Sequence, residues 1–326
     1  MKYVRLGKSA LMVSRIGLGA MSIGSPKWRP WVMDEAASRP IIRRAVELGI
    51  NFFDTSDYYS GGASEEVLGR ALKDFANRSE VVIATKVGNA MGKGVNERGF
   101  SRKHLIAAAE ASLKRLGTDH IDLYQTHIWD PTTPIDELIE AFHHLIRTGK
   151  VLYVGAAGMP AWQFAKSLYL ADLRGWTRMC TMQNHYNAVY REDERELLPL
   201  CRAEGVGVIP FSPLGRGFLT SNRKTGGWDK TQRARTDEFT VKWYGRDCDY
   251  RVVDAMEAVA KRRGMTVPQV ALSWVLHRPG IAAPILGVTE IGQLDPAVAV
   301  VDRPLEAEDV AAIDGAYEPR GPGAVG

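Results

Sequence analysis

The chain has 326 residues, 45% of them hydrophobic and 25% charged, and a formal net charge of +4 at pH 7. This composition is typical of a globular protein with a substantial core, and so small a charge, spread over short runs, argues against a nucleic-acid partner. The cysteines, Cys180, Cys201 and Cys248, form no CxxC pair, so neither a disulfide framework nor a metal site is expected. The sequence shows neither a signal-peptide pattern nor a membrane-spanning apolar run, which favours a cytoplasmic protein with no membrane partner.

Strand and helix patterns alternate along the chain. Residues 3–16 predict a β-hairpin around Gly7-Lys8, and Ile16–Gly19 predicts a buried strand. Seven more strands are predicted at 51–54, 81–86, 121–127, 151–155, 179–183, 206–211 and 283–286. Helices are predicted at 39–48, 66–75, 101–116, 134–148, from about 161, 192–204, 252–263, 267–277 and 294–300. A long irregular segment, 213–248, follows the seventh strand of the eight.

Eight short apolar strands alternating with helices predict an α/β protein with a closed (β/α)8 TIM barrel. Together with the N-terminal β-hairpin and the long loop after strand 7, this is the expected fold. Because no linker interrupts the series, we expect a single domain over residues 1–326. A Rossmann domain is rejected, because Ser22 stands where the third glycine after Gly17 and Gly19 is needed.

Polar residues stand at the ends of most predicted strands. They are Asp54, Lys86, His127, Gln183, Asn184 and Ser212. Singly, each has an ordinary explanation, such as an ion pair, a solvated strand end or a satisfied histidine. In a parallel barrel, however, the carboxyl ends of all strands meet at one mouth, where active sites lie. The sequence therefore predicts that these side chains form one site.

The chemistry of this set points to carbonyl reduction. Lys86 can pair with Asp54, and its ammonium beside a phenol should lower the pKa of Tyr59 from its usual value of about 10. Tyr59 could then donate a proton to a developing alkoxide, and a neutral His127 could orient the same oxygen. No nucleophile, carboxylate pair or metal-ligand cluster accompanies them. The missing reactant is a hydride.

The sequence resembles the aldo-keto reductase family from about Tyr3 to Tyr317. The motifs are Phe53–Tyr59 with Ser64-Glu65-x-x-Leu68-Gly69, Ala84–Lys86, Asp122–His127 with Asp130, Gln183-Asn184-x-Tyr186-Asn187, Phe211–Leu214 and Pro284-Ile285-x-Gly287. It is similar to the longer-chain branch that holds bacterial aldehyde reductases, aryl-alcohol dehydrogenases and potassium-channel β subunits. The resemblance implies a (β/α)8 barrel that binds NADP(H) across its mouth and reduces an aldehyde or ketone.

The resemblance also assigns residues. The catalytic set is Asp54, Tyr59, Lys86 and His127, with Tyr59 rather than Tyr58 as the acid because the family tyrosine stands five residues after the aspartate. The implied cofactor-binding residues are Gly19, Ala20, Met21, Asp54, Ala157, Gly158, Gln183, Phe211, Ser212, Pro213, Leu214, Gly215, Arg216, Gly217, Gly287, Thr289 and Gln293. Substrate contacts are expected from Trp31, Tyr58 and Trp129, among mouth aromatics that also include Trp28, Trp228 and Trp243.

Two departures from the family pattern affect the cofactor. Ala157-Gly158 replaces a polar pair, which removes a hydrogen bond worth about 1 kcal/mol. Glu290 stands where relatives often carry a base near the 2′-phosphate, so NAD(H) or dual use is an alternative to NADP(H). The long 213–248 loop carries four basic residues: Arg216, Lys224, Arg233 and Arg235. They could supply the positive charge that a 2′-phosphate needs, or they could simply form a solvated basic segment.

Two functions from different classes remain open on the sequence. The first is an NAD(P)H-dependent reductase of a small carbonyl compound, for which the aromatic mouth suits aryl, polyketide-like or sugar rings. The second is a cofactor-binding redox sensor or auxiliary subunit with vestigial turnover. The presence of His127 favours the enzyme, because that position differs in the channel subunits. The sequence is compatible with a monomer or a homo-oligomer.

Overall fold

A computed structural model describes residues 1–220 and 232–320. An antiparallel hairpin, β1 (Tyr3–Arg5) and β2 (Met12–Ser14), precedes a sheet of eight parallel strands. These are β3 (Gly17–Gly19), β4 (Phe52–Asp54), β5 (Val82–Val87), β6 (Ile121–Thr126), β7 (Val151–Ala157), β8 (Thr181–Gln183), β9 (Gly207–Val208) and β10 (Ile285–Gly287). Their order in the sheet, β10-β3-β4-β5-β6-β7-β8-β9, follows the chain, with the last strand beside the first.

The two edges of this sheet meet. Val208 forms a parallel bridge with Ile281, and Phe211 forms another with Ile285. Between them, the Ala282 amide donates a hydrogen bond of 2.8 Å to the Val208 carbonyl. The predicted (β/α)8 barrel and its N-terminal hairpin are therefore confirmed.

Helices surround the barrel. They are α1 (Glu35–Glu47), α2 (Ala63–Phe75), α3 (Arg102–Leu116), α4 (Ile135–Arg147), α5 (Ala161–Arg174), α6 (Leu197–Glu204), α7 (Gln232–Thr236), α8 (Glu238–Trp243), α9 (Asp247–Arg263), α10 (Val267–Leu276), α11 (Leu294–Ala299) and α12 (Ala307–Gly315). Ser101 caps α3 as predicted, accepting a 3.2 Å hydrogen bond from the His104 amide. None of the helices in the described ranges is long and apolar enough to cross a membrane.

Several helices differ from the prediction. Helix α1 begins at Glu35 instead of 39 and α6 at Leu197 instead of 192, and two buried aspartates explain the differences at α9 and α12. The described part of segment 213–248 contains α7, α8 and a 3-10 turn, so it is not wholly irregular. Helix α9 begins at Asp247 instead of 252, because the buried Asp249 carboxylate accepts hydrogen bonds from the amides of residues 245 and 246. Helix α12 was not predicted. Its acidic sequence suggests a solvated segment, but Asp309 is buried against the arginines of α9.

The hairpin closes the amino-terminal end of the barrel. At its turn, the Lys8 amide donates a 2.8 Å hydrogen bond to the Gly205 carbonyl. Gly7 has a φ of +63°, and a Cβ there would lie 2.6 Å from the Gly207 nitrogen, so glycine is required for this close approach. Behind the turn, apolar side chains fill this half of the interior: Leu6, Val13, Phe52, Val82, Ala84, Leu123, Ile209, Ala282, Ala283 and Ile285. Access to the interior is therefore from the carboxyl ends of the strands.

Candidate active site

A buried ion pair lies at the carboxyl ends of β4 and β5. The Lys86 Nζ is 2.5 Å from Asp54 Oδ2 and 2.9 Å from the Thr55 carbonyl oxygen. The two charged side chains are 1% and 3% exposed. Burial alone would lower the pKa of Lys86, but the adjacent Asp54 carboxylate and the Tyr59 phenol outweigh it and raise that pKa. The lysine is therefore an ammonium at neutral pH.

Two glutamines hold the other oxygen of the carboxylate. Asp54 Oδ1 accepts from Gln183 Nε2 at 2.8 Å and from Gln125 Nε2 at 3.3 Å. Both glutamines are buried, and Gln125 Oε1 has no hydrogen-bond partner in the described part of the chain. Gln125 was only part of a sequence motif, and its direct contact with Asp54 was not predicted. This polar layer crosses the barrel directly above the apolar half.

Tyr59 follows β4 at the start of a tight 3-10 turn, Tyr59–Gly62. Its hydroxyl lies 3.5 Å from Lys86 Nζ, and the ammonium is 5.1 Å from the ring centroid. Burial raises the pKa of Tyr59, and the nearby Lys86 only partly offsets this. The prediction that Lys86 would bring that pKa below its usual value is therefore wrong, because desolvation of a phenolate outweighs one ammonium. The phenol keeps its proton at neutral pH and can donate it.

His127 comes directly after β6 and faces the same phenol. The ring centroids of His127 and Tyr59 are 5.3 Å apart, with the planes at 83°. Burial, helped by Lys86, brings the pKa of His127 well below its usual range, so the imidazole is neutral. Its Nδ1 lies 2.9 Å from Ser56 Oγ. Sequence reasoning missed Ser56, although a hydroxyl inside the strand-end motif was a signal that could have identified it.

The four residues predicted as catalytic therefore converge. A protonated phenol and a neutral imidazole stand side by side, and an ammonium lies behind the phenol. Two such donors can hold one carbonyl oxygen, and a positive charge beside the phenol stabilises it after it loses its proton. The described residues contain no cluster of His, Cys, Asp or Glu arranged to hold a metal ion.

Aromatic side chains form the wall beside this group. The Trp28 ring lies 5.7 Å from Tyr58 and 6.2 Å from Tyr59. Tyr58 in turn lies 6.3 Å from His127, so the structure places it beside the converged residues. Trp28 was grouped with the mouth aromatics but not chosen as a substrate contact. Its position in the loop after β3 was the signal, since loops at that end of a barrel surround the site.

The two other residues predicted to touch substrate pack against side chains outside the converged group. Trp129 stacks on Phe100, with ring centroids 6.4 Å apart and planes at 23°. Trp31 is 6% exposed, and the Arg233 guanidinium lies 4.4 Å from its ring centroid. The ring centroids of Trp31 and Trp28 are 6.5 Å apart, and Trp28 and Tyr58 are the rings that lie against Tyr59 and His127.

Positive charge gathers at the rim near β10. Arg216 Nη2 lies 2.6 Å and Arg233 Nε lies 3.1 Å from the same oxygen of the buried Asp237. Arg233 Nη1 is also 4.0 Å from the position that a Cβ on Gly287 would occupy. Burial and the neighbouring Arg216 lower the pKa of Arg233 to about 10, so the Arg233 guanidinium is charged at neutral pH. Two cations with one carboxylate leave net positive charge beside the end of β10.

The remaining rim residues surround the same opening. Phe211 stacks on His185 at 5.2 Å, and the following turn has left-handed φ values at Ser212, Gly215, Arg216 and Gly217. At the end of β7, Gly158 donates from its amide to the Gln183 carbonyl at 3.1 Å. Beyond β10, Gln293 Oε1 accepts from the Thr289 amide at 3.0 Å. Lys224 and Trp228 lie outside the described residues.

A profile described as the Aldo/keto reductase family matches residues 15–318. The chain belongs to the aldo/keto reductase family. It is 38% identical to the versiconal hemiacetal acetate reductase of Aspergillus parasiticus, covering 98% of each chain. An aldo-keto reductase of Metarhizium robertsii is 36% identical over 98% of this chain and 91% of its own length. A Schizosaccharomyces pombe protein, named provisionally as an aryl-alcohol dehydrogenase, is 36% identical over 97% of this chain and 96% of its own. These relatives support carbonyl reduction as the general chemistry.

Members of the aldo/keto reductase family use nicotinamide cofactors, and the rim of this member fits such a group. Arg216 and Arg233 suit a polyphosphate, since guanidinium forks match phosphate oxygens. Gln125 Oε1 and Asn184 Oδ1 are buried acceptors near the ends of β6 and β8, and neither has a hydrogen-bond partner among the residues that the structure describes. Ala157 and Gly158 offer no side-chain polar group there. The Thr126 hydroxyl accepts from the Ala157 amide at 3.1 Å, so that amide is already bonded.

Proposed function

We propose that the protein reduces an aldehyde or ketone to an alcohol with NAD(P)H, and that Tyr59 is the general acid. The observation that carries the proposal is the placement of one protonated phenol between the Lys86 ammonium and the neutral His127 ring. This arrangement offers a carbonyl oxygen two donors and a proton, and it offers no nucleophile.

In this mechanism, Tyr59 and a ring nitrogen of His127 donate hydrogen bonds to the substrate oxygen and orient it. When bound, the nicotinamide supplies the hydride. Tyr59 gives its proton to the oxygen as negative charge develops there, and Lys86 stabilises the resulting phenolate. Asp54 holds Lys86 in place and keeps it charged through the 2.5 Å ion pair. Oxidation of the alcohol uses the same residues in reverse.

We propose NADP(H) as the preferred cofactor. Its pyrophosphate would be held by the Ser212–Gly217 turn with Arg216, and its 2′-phosphate by Arg233 beside the end of β10. The NAD(H) alternative rested on Glu290, which is exposed in the turn that follows β10. Solvent and salt screen an exposed carboxylate more than they screen the Arg216 and Arg233 side chains, which are 4% and 22% exposed. The two guanidiniums therefore favour the phosphorylated cofactor.

Changing Arg233 to Gln is expected to raise the Kd for NADPH at least tenfold and to change the Kd for NADH less. A charged hydrogen bond to a phosphate contributes roughly 1.5–3 kcal/mol, and about 1.4 kcal/mol corresponds to a factor of ten. The fold should survive, because Asp237 keeps its 2.6 Å pair with Arg216. Fluorescence titration with each dinucleotide measures the effect. Arg235→Gln, on the exposed side of α7, is the matched control. Equal weakening of both cofactors would contradict the assignment.

The function is tested by NADPH oxidation with a panel of aldehydes and ketones. Hemiacetal acetates and the aldehydes of aryl alcohols belong in the panel, because one similar protein is named a hemiacetal acetate reductase and another an aryl-alcohol dehydrogenase. Turnover of at least one class, with the alcohol as product, is the expected result. If NADPH binds tightly but no member of the panel is reduced, the redox-sensing or auxiliary role gains and the reductase assignment fails.

A further inference from the structure

His127 lies against the buried hydroxyl group of Ser56, which in turn contacts the buried carboxyl group of Asp57. The proposed mechanism uses neither group. Ser56 Oγ lies 2.9 Å from His127 Nδ1 and 3.2 Å from Asp57 Oδ1, and it accepts from the Tyr58 amide at 3.1 Å. Ser56 is 0% exposed and Asp57 is 1% exposed. The side chains of residues 57, 56 and 127 therefore form one line of hydrogen bonds behind the imidazole, and Nε2 is left for a substrate.

The Ser56 hydroxyl has a single proton, and this proton can serve only one of its two neighbours. If the proton points to Asp57, the serine oxygen must accept from Nδ1–H of His127, and Nε2 is then a bare acceptor. If the proton points to His127 Nδ1, the ring carries its own proton on Nε2 and can donate to a carbonyl. The tautomer of a neutral histidine is set by the hydrogen bond at its other nitrogen.

We propose that Asp57, acting through Ser56, sets the tautomer of His127 and so acts as a positioning residue with a protonation switch. Protonated Asp57 donates to Ser56, Ser56 donates to Nδ1, and Nε2 carries the proton. Ionised Asp57 instead accepts a hydrogen bond from Ser56, so the serine oxygen must accept from Nδ1, and Nδ1 carries the ring proton. On ionisation one proton leaves Asp57 for solvent, while the imidazole stays neutral and its proton moves between nitrogens. The effect on catalysis rests on the proposed function of His127; the tautomer itself does not.

The surroundings of Asp57 make this switch sensitive near neutral pH. Burial, followed by the nearby Glu65 of α2, raises the pKa of Asp57 to about 7, and Arg115 of α3 partly opposes this. Glu65 is itself held by Arg115 at 2.6 Å. Tyr124 of β6 faces the same carboxyl group, and Asp57 Oδ2 has no hydrogen-bond partner within the described ranges. Hydrogen bonds from Ser56 and from the Tyr58 amide lower the pKa of Asp57 only in part, so the carboxyl group still titrates near neutral pH.

The groups on the mouth side of His127 do not titrate in the same range. Lys86 has a raised pKa, Tyr59 has a raised pKa, and the pKa of His127 itself is far below its usual value. A change in His127 between about pH 5 and about pH 8 therefore reports Asp57 and not these neighbours.

Nitrogen NMR of the His127 ring in the full-length protein tests the proposal, because the shifts of Nδ1 and Nε2 identify the tautomer. In the wild type, the proton is expected on Nε2 at low pH and on Nδ1 at high pH, with a midpoint near the Asp57 pKa of about 7. Asp57→Asn cannot ionise and can donate to Ser56 through its NH2 group, so His127 should keep one tautomer, expected to be the Nε2–H form, at every pH. Ser56→Ala should abolish the transition by breaking the line. One tautomer throughout in the wild type, or an unchanged transition in Asp57→Asn, would overturn the proposal.

Asp193→Asn is the matched control. Asp193 is a second carboxyl with a pKa raised by burial, to about 6, but it is bonded to Asn184 at 2.6 Å and not to the histidine line. Its variant should keep the wild-type His127 transition. Loss of the transition in Asp193→Asn would show that a general effect of buried charge is responsible, and would overturn the proposal.

Reduction kinetics separate the switch from the proposed function. If Nε2–H of His127 is the donor, kcat/KM for the carbonyl should fall about tenfold one pH unit above the Asp57 pKa, and Asp57→Asn should remove this fall. A tautomer that switches with no change in kcat/KM would support the switch and contradict the donor role of His127. A fall in kcat/KM that persists in Asp57→Asn would count against the switch as its cause.

Discussion

Replacing Tyr59 with phenylalanine is expected to lower kcat for carbonyl reduction about 100- to 10,000-fold, the usual contribution of a positioned general acid. The ring would remain in place and only the hydroxyl 3.5 Å from Lys86 Nζ would be lost. Lys86 would keep its bonds to Asp54 and to the Thr55 carbonyl. The Kd for NADPH should therefore stay within a few-fold of the wild type. Steady-state kinetics and fluorescence titration measure the two quantities separately.

Tyr124→Phe is the matched control for this experiment. Its hydroxyl is also fully buried, but it has no hydrogen-bond partner among the described residues and lies outside the converged group. At about pH 6, below the Asp57 pKa of about 7, removing it should leave kcat within a few-fold of the wild type and leave the fold intact. If Tyr59→Phe is as active as Tyr124→Phe, Tyr59 is not the acid.

Replacing Lys86 with methionine is expected to reduce the free energy of unfolding by about 3–5 kcal/mol and to abolish measurable turnover. The loss of stability arises because the Asp54 carboxylate, 3% exposed, would remain buried without its cation. The loss of turnover arises because a phenolate at Tyr59 would have no neighbouring positive charge. Denaturant unfolding and NADPH oxidation measure the two effects.

The double variant Lys86→Met with Asp54→Asn separates stability from catalysis. The side-chain carbonyl oxygen at position 54 can still accept the hydrogen bond from Gln183 Nε2. The substitutions remove both charges of the ion pair, so neither is left buried without its partner. Much of the lost stability should return, because replacing both members of a buried ion pair costs far less than removing one. Turnover should not return. A double variant as unstable as Lys86→Met would mean that the lysine contributes mainly through packing, and recovered turnover would remove Lys86 from the mechanism.

The fold and the position of the site were predictable from local patterns. Short apolar strands alternate with helices, and polar residues such as Asp54 and His127 end those strands, so their convergence follows from parallel closure alone. Helices α9 and α12 were misjudged, because Asp249 and Asp309 resemble surface residues until their distant arginines are known. Tertiary ion pairs of this kind are not visible in local sequence periodicity.

The sequence predicted which residues form the site better than it predicted their pKa values. The charge of Lys86 suggested a lowered pKa for Tyr59. The direction of that pKa shift depends on how completely the phenol is removed from water, which is a property of the whole fold. Ser56 and Trp28 were missed for a related reason. The direction of a side chain after a strand end depends on the turn that follows, and the turn at Ser60 has an unusual left-handed φ of 54°.

The pairing of β3 with β10, the β3–β10 seam, also affects how the chain folds. The Gly17 amide of β3 bonds to the Pro284 carbonyl at 3.0 Å, so the first barrel strand finds one of its two neighbours only near the end of the chain. During synthesis, β3 therefore has an unpaired edge until residues 281–287 leave the ribosome, and this long-range closure is entropically costly and slow. The proposed cofactor rim spans that seam, with Gly19 on one side and Gly287 on the other. A dinucleotide that binds only when β3 and β10 are paired would stabilise the closed barrel by mass action.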